Sequence, residues 1–330
     1  MYFDLSSASQ FAQTVDRLKN ILQSKGVTLF ALVDHSGEAE KVGMMLAAPS
    51  SAIDLPLKIL VSEDAKGKVW LSYNSAEYLA GFPWHLHRGI ETITYVLAGT
   101  VQRGDSIGHS GVIGAGDVQW MTAGSGIIHQ EMPKGDQAGR MHGFQLWGNL
   151  PASLKMTAPR YQEVKAGEVP EITDDDGTHV RVVCGNFWGK TGPVDGVAAD
   201  PIYLDVSVSP GKRKTLPVEM TRHAFAYVFA GSGKFCNASG PLAVPTEAIK
   251  WLDTTPPVEA DNRSLILFDR GDEVTVRAGD DGIRFLLVSG KPLEEPVAWY
   301  GPIVMNTQEQ LRQAFTELQE GTFLKERQRK

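Results

Sequence analysis

The stretch that decides the fold is Pro83–Gly99, PWHLHRGIETITYVLAG. It begins with two histidines separated by one residue, His85 and His87, and continues as a run of β-branched and aromatic residues that ends at a glycine. Such a run, bounded by glycines, predicts a β-strand rather than a helix. Because side chains alternate between the two faces of a strand, we expect the two imidazoles to point to the same side.

A weak internal repeat extends this pattern along the chain. Short β-rich runs alternate with Gly, Asp and Ser turns, which is typical of a β-sandwich or a barrel. The segment TITYVLAGTVQ (92–102) parallels AFAYVFAGSGK (224–234), and VIGAGDVQWMTAG (112–124) parallels LILFDRGDEVTVRAG (265–279). A repeat at a spacing of roughly 130 residues indicates two similar barrels rather than a short-period solenoid.

The N-terminal quarter of the chain has a different pattern of apolar residues. Apolar residues recur every three or four positions over Phe11–Leu22, which predicts a helix, and two apolar runs around Ala65–Gly67 predict a hairpin. Residues 1–82 therefore form a small α+β domain in this interpretation.

The C-terminal segment TQEQLRQAFTELQEG (307–321) predicts a helix with Leu311, Phe315 and Leu318 on one side. The expected fold is mainly β, with two stacked barrels between the small N-terminal domain and this helix. The expected domains are residues 1–82, 83–195 and 196–330.

Composition excludes several classes of function. The net charge of -7 and the pI near 5.7 argue against a general nucleic-acid or membrane-surface binder. No apolar run approaches the roughly 20 residues that span a bilayer. The two cysteines, Cys184 and Cys236, lie far apart and make no disulfide framework, so a cytoplasmic protein with reduced thiols is expected.

A second pair of candidate ligands follows in GSGIIHQEMP (124–133), where His129 and Glu131 are again two residues apart. Two such pairs on neighbouring strands would present four ligands to one patch. Three imidazoles and a carboxylate suit iron(II), with nickel, copper, zinc and manganese as other divalent candidates. Glu91 shares the strand parity of the first histidine pair, and spacing alone does not separate it from Glu131 as the carboxylate ligand. His223, in the second repeat, has no partner two residues away, so the second barrel is expected to lack a metal.

Several motifs in the same order resemble the pirin family from about residue 83 to the C-terminal helix. The motifs are PWHLHRGIETITYVLAG, DSIGHSGVIGAGDVQWMTAGSGIIHQEMP, HGFQLWGNLPASLKMTAPRYQEV and SGKPLEEPVAWYGPIVMNTQEQLRQAF. The resemblance implies a bicupin, two stacked barrels of which only the first holds iron. It implies that His85, His87, His129 and Glu131 are the iron ligands, and so favours Glu131 as the carboxylate. Leu86 stands where pirins usually carry proline.

Residues before the histidine pair resemble a different family, a small bacterial and archaeal domain family of unknown function. The chain is therefore interpreted as a fusion joined at AGFPWH (80–85).

The resemblance implies an iron-dependent dioxygenase that opens flavonols such as quercetin with O2. Glu131 would be both a ligand and the base that accepts the substrate's hydroxyl proton, and Trp120, Met121 and Phe144 would supply an apolar pocket for the aromatic ring. The alternative is a metal-dependent, redox-sensitive regulatory protein that contacts a transcription factor or a metabolic enzyme without catalysis. The expected partners are a small aromatic substrate and O2, with a protein partner in the alternative, and neither nucleic acid nor membrane.

Overall fold

The computed structural model describes residues 81–236 and 259–325, together with the backbone of the strand segments 59–63, 69–73 and 242–243. The chain divides into two compact units, Met1–Phe82 and Pro83–Lys330. The helix predicted over Phe11–Leu22 lies outside the described residues.

The described part of the first unit is a two-stranded antiparallel sheet. Strand β1 (Ile59–Glu63) pairs with β2 (Val69–Tyr73), so that Ile59 lies opposite Tyr73. This pairing confirms the hairpin predicted around Ala65–Gly67.

Two four-stranded sheets make up the first half of the second unit, which we call the first β-domain. Its strands are β3 (Phe82–His87), β4 (Ile90–Ala98), β5 (Thr100–Asp105), β6 (Ser110–Ile113), β7 (Val118–Thr122), β8 (Ile127–Lys134), β9 (His142–Asn149) and β10 (Arg160–Val164). The order in one sheet is β10-β7-β4-β9 and in the other β3-β8-β5-β6. Short 3-10 helices follow at Ala152–Leu154 and Ala166–Glu168.

Strand β4 shows why both faces of the first sheet are buried. Thr92 and Thr94 face the opposing sheet, as the hydrogen bond from Thr94 Oγ1 to Glu131 on β8 shows. Ile93 and Tyr95 alternate with them and therefore lie on the other face, where they join an apolar cluster. A strand that is buried on both sides explains the near-continuous apolar and threonine run of the sequence.

A nine-stranded sheet forms the second β-domain. Its strands are β11 (Glu171–Thr173), β12 (His179–Cys184), β15 (Ile202–Val208), β16 (Arg213–Pro217), β17 (His223–Phe235), β18 (Leu242–Ala243), β19 (Ala260–Asp261), β20 (Ser264–Leu267) and β21 (Glu273–Gly290). A separate two-stranded sheet consists of β13 (Asn186–Phe187) and β14 (Lys190–Thr191). Strands β11 and β12 precede residue 196 yet pair within the nine-stranded sheet.

The two β-domains share one apolar layer. Ile93, Trp120 and Val118 of the first domain belong to the same buried cluster as Tyr203 and Leu286 of the second. The prediction of two stacked mainly-β domains is confirmed.

A buried polar group links the domains within that layer. Tyr95 donates a hydrogen bond to Asp205 Oδ2 at 2.7 Å, and Arg284 donates two to the same carboxylate. Pairing the carboxylate in this way offsets the cost of burying its charge.

The internal repeat is visible in the backbone as well as in the sequence. Gly99 and Gly231 are aligned in the repeat, and both adopt positive φ, at 79° and 67°. A Cβ at Gly231 would lie 2.1 Å from the carbonyl oxygen of Gly282, so only glycine fits there. The same backbone requirement in both repeats supports their common architecture.

The C-terminal segment packs as the sequence predicts. Strands β22 (Ala298–Tyr300) and β23 (Ile303–Met305) precede helix α1 (Gln308–Gln319). Thr307 caps the helix in a reciprocal pair with Gln310. Leu311 is buried, and Phe315 and Leu318 pack against the same cluster. Among the described residues, no helix has both the length and the apolar character needed to cross a membrane.

Candidate metal centre

Three histidines meet in the interior of the first β-domain. His85 and His87 leave strand β3 on one side, and His129 comes from strand β8, the neighbouring strand in the same sheet. The ring centroids are 4.9 Å apart for His85 and His87, 4.2 Å for His85 and His129, and 5.0 Å for His87 and His129. One ring nitrogen from each lies within 4.8 Å of the other two, so the group could hold a metal ion.

Three buried ring nitrogens of His87 and His129 lack a hydrogen-bond partner of good geometry. His87 is fully buried and His129 is 2% exposed. Neither ring nitrogen of His87 has a partner of good geometry, nor does Nε2 of His129. Since buried polar atoms in folded proteins are nearly always hydrogen-bonded, nitrogens that converge without partners fit a cation that would accept their lone pairs.

The protonation state of the group also suits a cation. Burial, with the neighbouring imidazoles His129 and His85, lowers the pKa of His87 well below its usual range. Burial and then His85 lower the pKa of His129 to about 3. Both rings are therefore neutral at neutral pH, which is the form that ligates metals. His85 Nδ1 lies 2.8 Å from the carbonyl oxygen of Pro83, and a donor at Nδ1 would make Nε2 its ligating nitrogen.

Glu131 is buried next to this group but is held by other side chains. It lies two residues from His129 on the same face of β8. Thr94 donates to its Oε1 at 3.1 Å, and Gln145 donates to its Oε2 at 2.6 Å. Its carboxylate is not within the 4.8 Å group of the three histidines.

Glu91, the competing carboxylate, lies on the opposite face of strand β4 from Thr92 and Thr94. Its Oε1 accepts a hydrogen bond from Thr122 at 2.7 Å, and burial raises its pKa above the usual range. The side chain therefore belongs to the layer between the β-domains, away from the three histidines.

The predicted apolar pocket is only partly correct. Met121 lies on the inner face of β7, opposite Thr92 and Tyr161 on the adjacent strands. Trp120 and Phe144 lie in the layer between the β-domains, so the prediction that they line the pocket is wrong. Trp120 and Phe144 are adjacent in sequence to Met121 and Gln145, so their side chains point to the opposite face of the sheet. The sequence did not show which of the two faces pointed inward.

Sequence reasoning missed several inner residues. Trp147 stacks edge-on against His87 with ring centroids 5.1 Å apart. Arg103 and Asp105 on β5 lie directly opposite Glu131 and His129 on β8. The alternation of charged residues in VQRGD was the available signal, since two charges two apart on a strand face the same side.

A family model described as Pirin matches residues 59–148, and one described as Pirin C-terminal cupin domain matches residues 203–324. A pirin-like protein of Caulobacter vibrioides is 41% identical over 288 residues, which cover 87% of this chain and 94% of the relative. The chain belongs to the pirin family.

Other members of the pirin family carry an enzyme name. A Thermoplasma acidophilum relative, provisionally named as a quercetin 2,3-dioxygenase, is 38% identical over 78% of this chain and 97% of its own length. The crystal structure of a quercetin 2,3-dioxygenase from Acinetobacter baumannii is similar with a TM-score of 0.62 and 28% identity, covering 83% of this chain and 88% of that one.

The N-terminal segment matches a separate family. A model described as Domain of unknown function DUF302 matches residues 3–48. The pirin match begins at residue 59 and so includes the hairpin of β1 and β2.

Proposed function

We propose that the first β-domain binds one divalent first-row metal ion, iron(II) foremost, through His85, His87, His129 and Glu131. We further propose that this centre opens flavonols such as quercetin with O2. The observation that carries the proposal is the convergence of three imidazoles, in which both ring nitrogens of His87 and Nε2 of His129 are buried without a hydrogen-bond partner of good geometry. Imidazole and carboxylate ligands suit iron, nickel, copper, zinc and manganese, and the names of the relatives supply the substrate class.

Glu131 is the fourth ligand in this proposal because it is the buried carboxylate on the same strand face as His129. A carboxylate offers about four lone-pair positions, so Glu131 can accept from Thr94 and Gln145 and still bind a cation. The two donors fix the orientation of the carboxylate, as partners of metal ligands commonly do.

The chain's own residues have three tasks in the reaction. Glu131 accepts the proton of the substrate's hydroxyl group, and Gln145 and Thr94 hold its oxygens in place for that transfer. Met121 and Trp147 supply apolar surface beside the ring of the substrate. A bound divalent metal supplies Lewis-acid and redox chemistry. Because a dioxygenase places both oxygen atoms in the product, the reaction needs no external reductant.

A regulatory binding protein is the second candidate. Trp84 alternates with His85 on strand β3 and lies on the outer face, where its side chain is 55% exposed. A metal whose oxidation state changes on the inner face of the same strand would lie close to this exposed aromatic residue. A role without turnover is therefore consistent with the same centre.

Turnover separates the two candidates. Protein loaded with iron(II) under anaerobic conditions is mixed with quercetin and air-saturated buffer, while O2 consumption and flavonol absorbance are recorded. We expect stoichiometric loss of both, and loss of activity in His85→Ala. The matched control is His179→Ala, which removes a histidine of the second β-domain that pairs with Glu171. Iron-loaded protein that leaves a panel of flavonols unchanged would eliminate the enzyme and favour the regulator.

A further inference from the structure

A continuous polar layer crosses the interior of the first β-domain beside the three histidines. In the sheet β10-β7-β4-β9, four polar residues lie side by side on neighbouring strands. In the facing sheet, two more lie side by side on β8 and β5. The members of this polar layer are Gln145, Thr94, Gln119, Glu163, Glu131 and Arg103. Glu131, beside the histidines, is bonded to Gln145 and Thr94, and Arg103, its cross-strand neighbour on β5, pairs with Glu163.

Arg103 is a buried cation that is only partly paired. It is 7% exposed, and its Nη2 forms an ion pair with Glu163. Its Nη1 is buried and has no hydrogen-bond partner among the described residues. An unpartnered donor on a buried guanidinium is costly, because the desolvation of a charged group is then only partly offset.

A second unpartnered donor lies in the same layer. Gln119 is 2% exposed, and its Nε2 has no partner in the described part of the chain. Its ladder neighbours are Thr94 on one side, which bonds to Glu131, and Glu163 on the other, which pairs with Arg103. In the ladder, Gln119 therefore lies between the partner of Glu131 and the partner of Arg103.

The guanidinium of Arg103 is packed between an aromatic ring and a glycine. Its guanidinium carbon lies 5.1 Å from the centroid of the Tyr161 ring. Gly111 is its partner on strand β6, and a Cβ there would come within 3.6 Å of Nη2. Glycine on one side and an aromatic ring on the other suit the planar, bidentate recognition of an oxyanion.

We propose that Arg103 and Gln119 form an oxyanion-binding subsite for the ionised oxygen, carboxylate or phenolate, of an aromatic ligand that enters the first β-domain. The identity of that ligand as the substrate rests on the proposed function, but the subsite itself does not. An aromatic acid would direct its anionic oxygen to Arg103 and its ring toward Tyr161 and Met121, which lie opposite each other on β10 and β7.

Glu163 is the internal competitor of such a ligand. Its side chain is 44% exposed, and its carboxylate already occupies the outer side of the guanidinium. Because its side chain reaches solvent, the Glu163 carboxylate can be hydrated when it leaves Arg103. An incoming oxyanion therefore either displaces the Glu163 carboxylate from Arg103 or binds the guanidinium together with it. Removal of the Glu163 charge should favour the ligand.

Calorimetric titration of the metal-free full-length protein with benzoate and with the neutral isostere benzamide, at low ionic strength, tests the subsite. We expect benzoate to bind at least about tenfold more tightly than benzamide, because a charge-assisted bond replaces a neutral one. Arg103→Gln should weaken benzoate binding about tenfold or more and leave benzamide unchanged. Arg140→Gln, which removes an exposed arginine paired with Asp136, should change neither.

Glu163→Gln provides the opposing test, because this exposed position tolerates the change in a folded protein. The subsite requires tighter benzoate binding in this variant, whereas a purely structural ion pair predicts no gain. The proposal is overturned if wild-type protein does not distinguish benzoate from benzamide, or if Glu163→Gln fails to tighten benzoate. An iron-loaded enzyme that is inactive on flavonols would contradict the proposed function and leave these titrations unaffected.

Discussion

Gln145 Nε2 donates a hydrogen bond to Glu131 Oε2 at 2.6 Å, across the interior of the first β-domain. Thr94 Oγ1 bonds to the other oxygen, so both oxygens of this buried carboxylate are held by the facing sheet. The pair connects strand β9 to strand β8, which also carries His129. The orientation of the proposed fourth ligand therefore depends on a residue outside both histidine pairs.

Replacement of Gln145 should weaken the metal site without removing a ligand. In Gln145→Ala, Glu131 loses its short hydrogen bond and part of its orientation, and we expect metal affinity to fall about tenfold to a hundredfold. Anaerobic titration with iron(II) measures the change. Gln130→Ala, on the outward side of β8 between His129 and Glu131, is the matched control. Equal affinity in Gln145→Ala and wild-type protein would remove Gln145 from this role.

Glu91 should affect the pH dependence of stability instead of metal binding. Burial raises its pKa, so the folded chain retains this proton to higher pH than the unfolded chain. The stability that the protonated Glu91 carboxyl contributes is fully present below the unfolded-state pKa. It is lost as the pH rises through the folded-state pKa. Glu91→Gln stays neutral, so the free energy of unfolding of this variant should rise relative to that of wild type between pH 4 and pH 7.

Denaturant unfolding at both pH values measures this difference, with exposed Glu273→Gln as the control. Iron(II) affinity should be the same in Glu91→Gln and wild-type protein. A loss of metal affinity would show that the competing carboxylate, and not Glu131, serves the centre.

The sequence predicted the strands that carry the candidate metal ligands because their signal is local. His85 with His87, and His129 with Glu131, are pairs two residues apart, and strand geometry alone puts each pair on one face. The structure brings the three histidines together, and it leaves Glu131 bonded to Gln145 and Thr94. Those two partners come from other strands, which local spacing does not identify.

The inner and outer faces of the first sheet were harder to assign. Strand β7 has the sequence VQWMT and is buried at every residue, so its pattern does not alternate between apolar and polar. Trp120 and Met121 were equally plausible pocket residues for that reason. Only the packing of the second β-domain, through Tyr203 and Phe229, shows that Trp120 faces the interdomain layer.

The ion pair of Arg88 and Glu317 should make the C-terminal helix sensitive to acid. Arg88 is 2% exposed, donates to Glu317 at 2.7 Å and also donates to the carbonyl oxygen of Phe323. Although desolvation opposes ionisation, hydrogen bonds from Lys325 and Arg88 lower the pKa of Glu317 to about 2. Its stabilising contribution is therefore present above the unfolded-state pKa and is lost as the pH falls toward 2.

Glu317→Gln should lower the free energy of unfolding at pH 7 by about 1.5–3 kcal/mol, because a hydrogen bond between charged groups is replaced. The deficit should shrink as the pH is lowered, which distinguishes the charge from packing. Denaturation curves at pH 7 and pH 3 give the comparison, and Glu320→Gln at the exposed end of α1 is the control. A deficit that does not depend on pH would contradict the ionic interpretation.

Gly89 should be intolerant of any side chain. It follows the histidine strand with φ at +78°, and a Cβ would lie 1.9 Å from the carbonyl oxygen of Val304. We expect Gly89→Ala to lose about 2 kcal/mol or more of stability, from backbone strain and from displacement of strand β23. Gly108→Ala has a similar φ of +92° with no atom within 4 Å, so it isolates the strain alone. Equal melting temperatures for the two variants would exclude the steric contribution.

The iron content of the reconstituted protein tests the central claim most directly. Protein depleted of metal is loaded with iron(II) under anaerobic conditions, freed of excess metal and assayed for iron per chain. We predict about one iron per chain in wild-type protein and in His179→Ala, and roughly none in His87→Ala, because imidazole ligands are required at the centre. Wild-type protein that retains no iron, or His87→Ala that retains as much as wild type, would contradict the account.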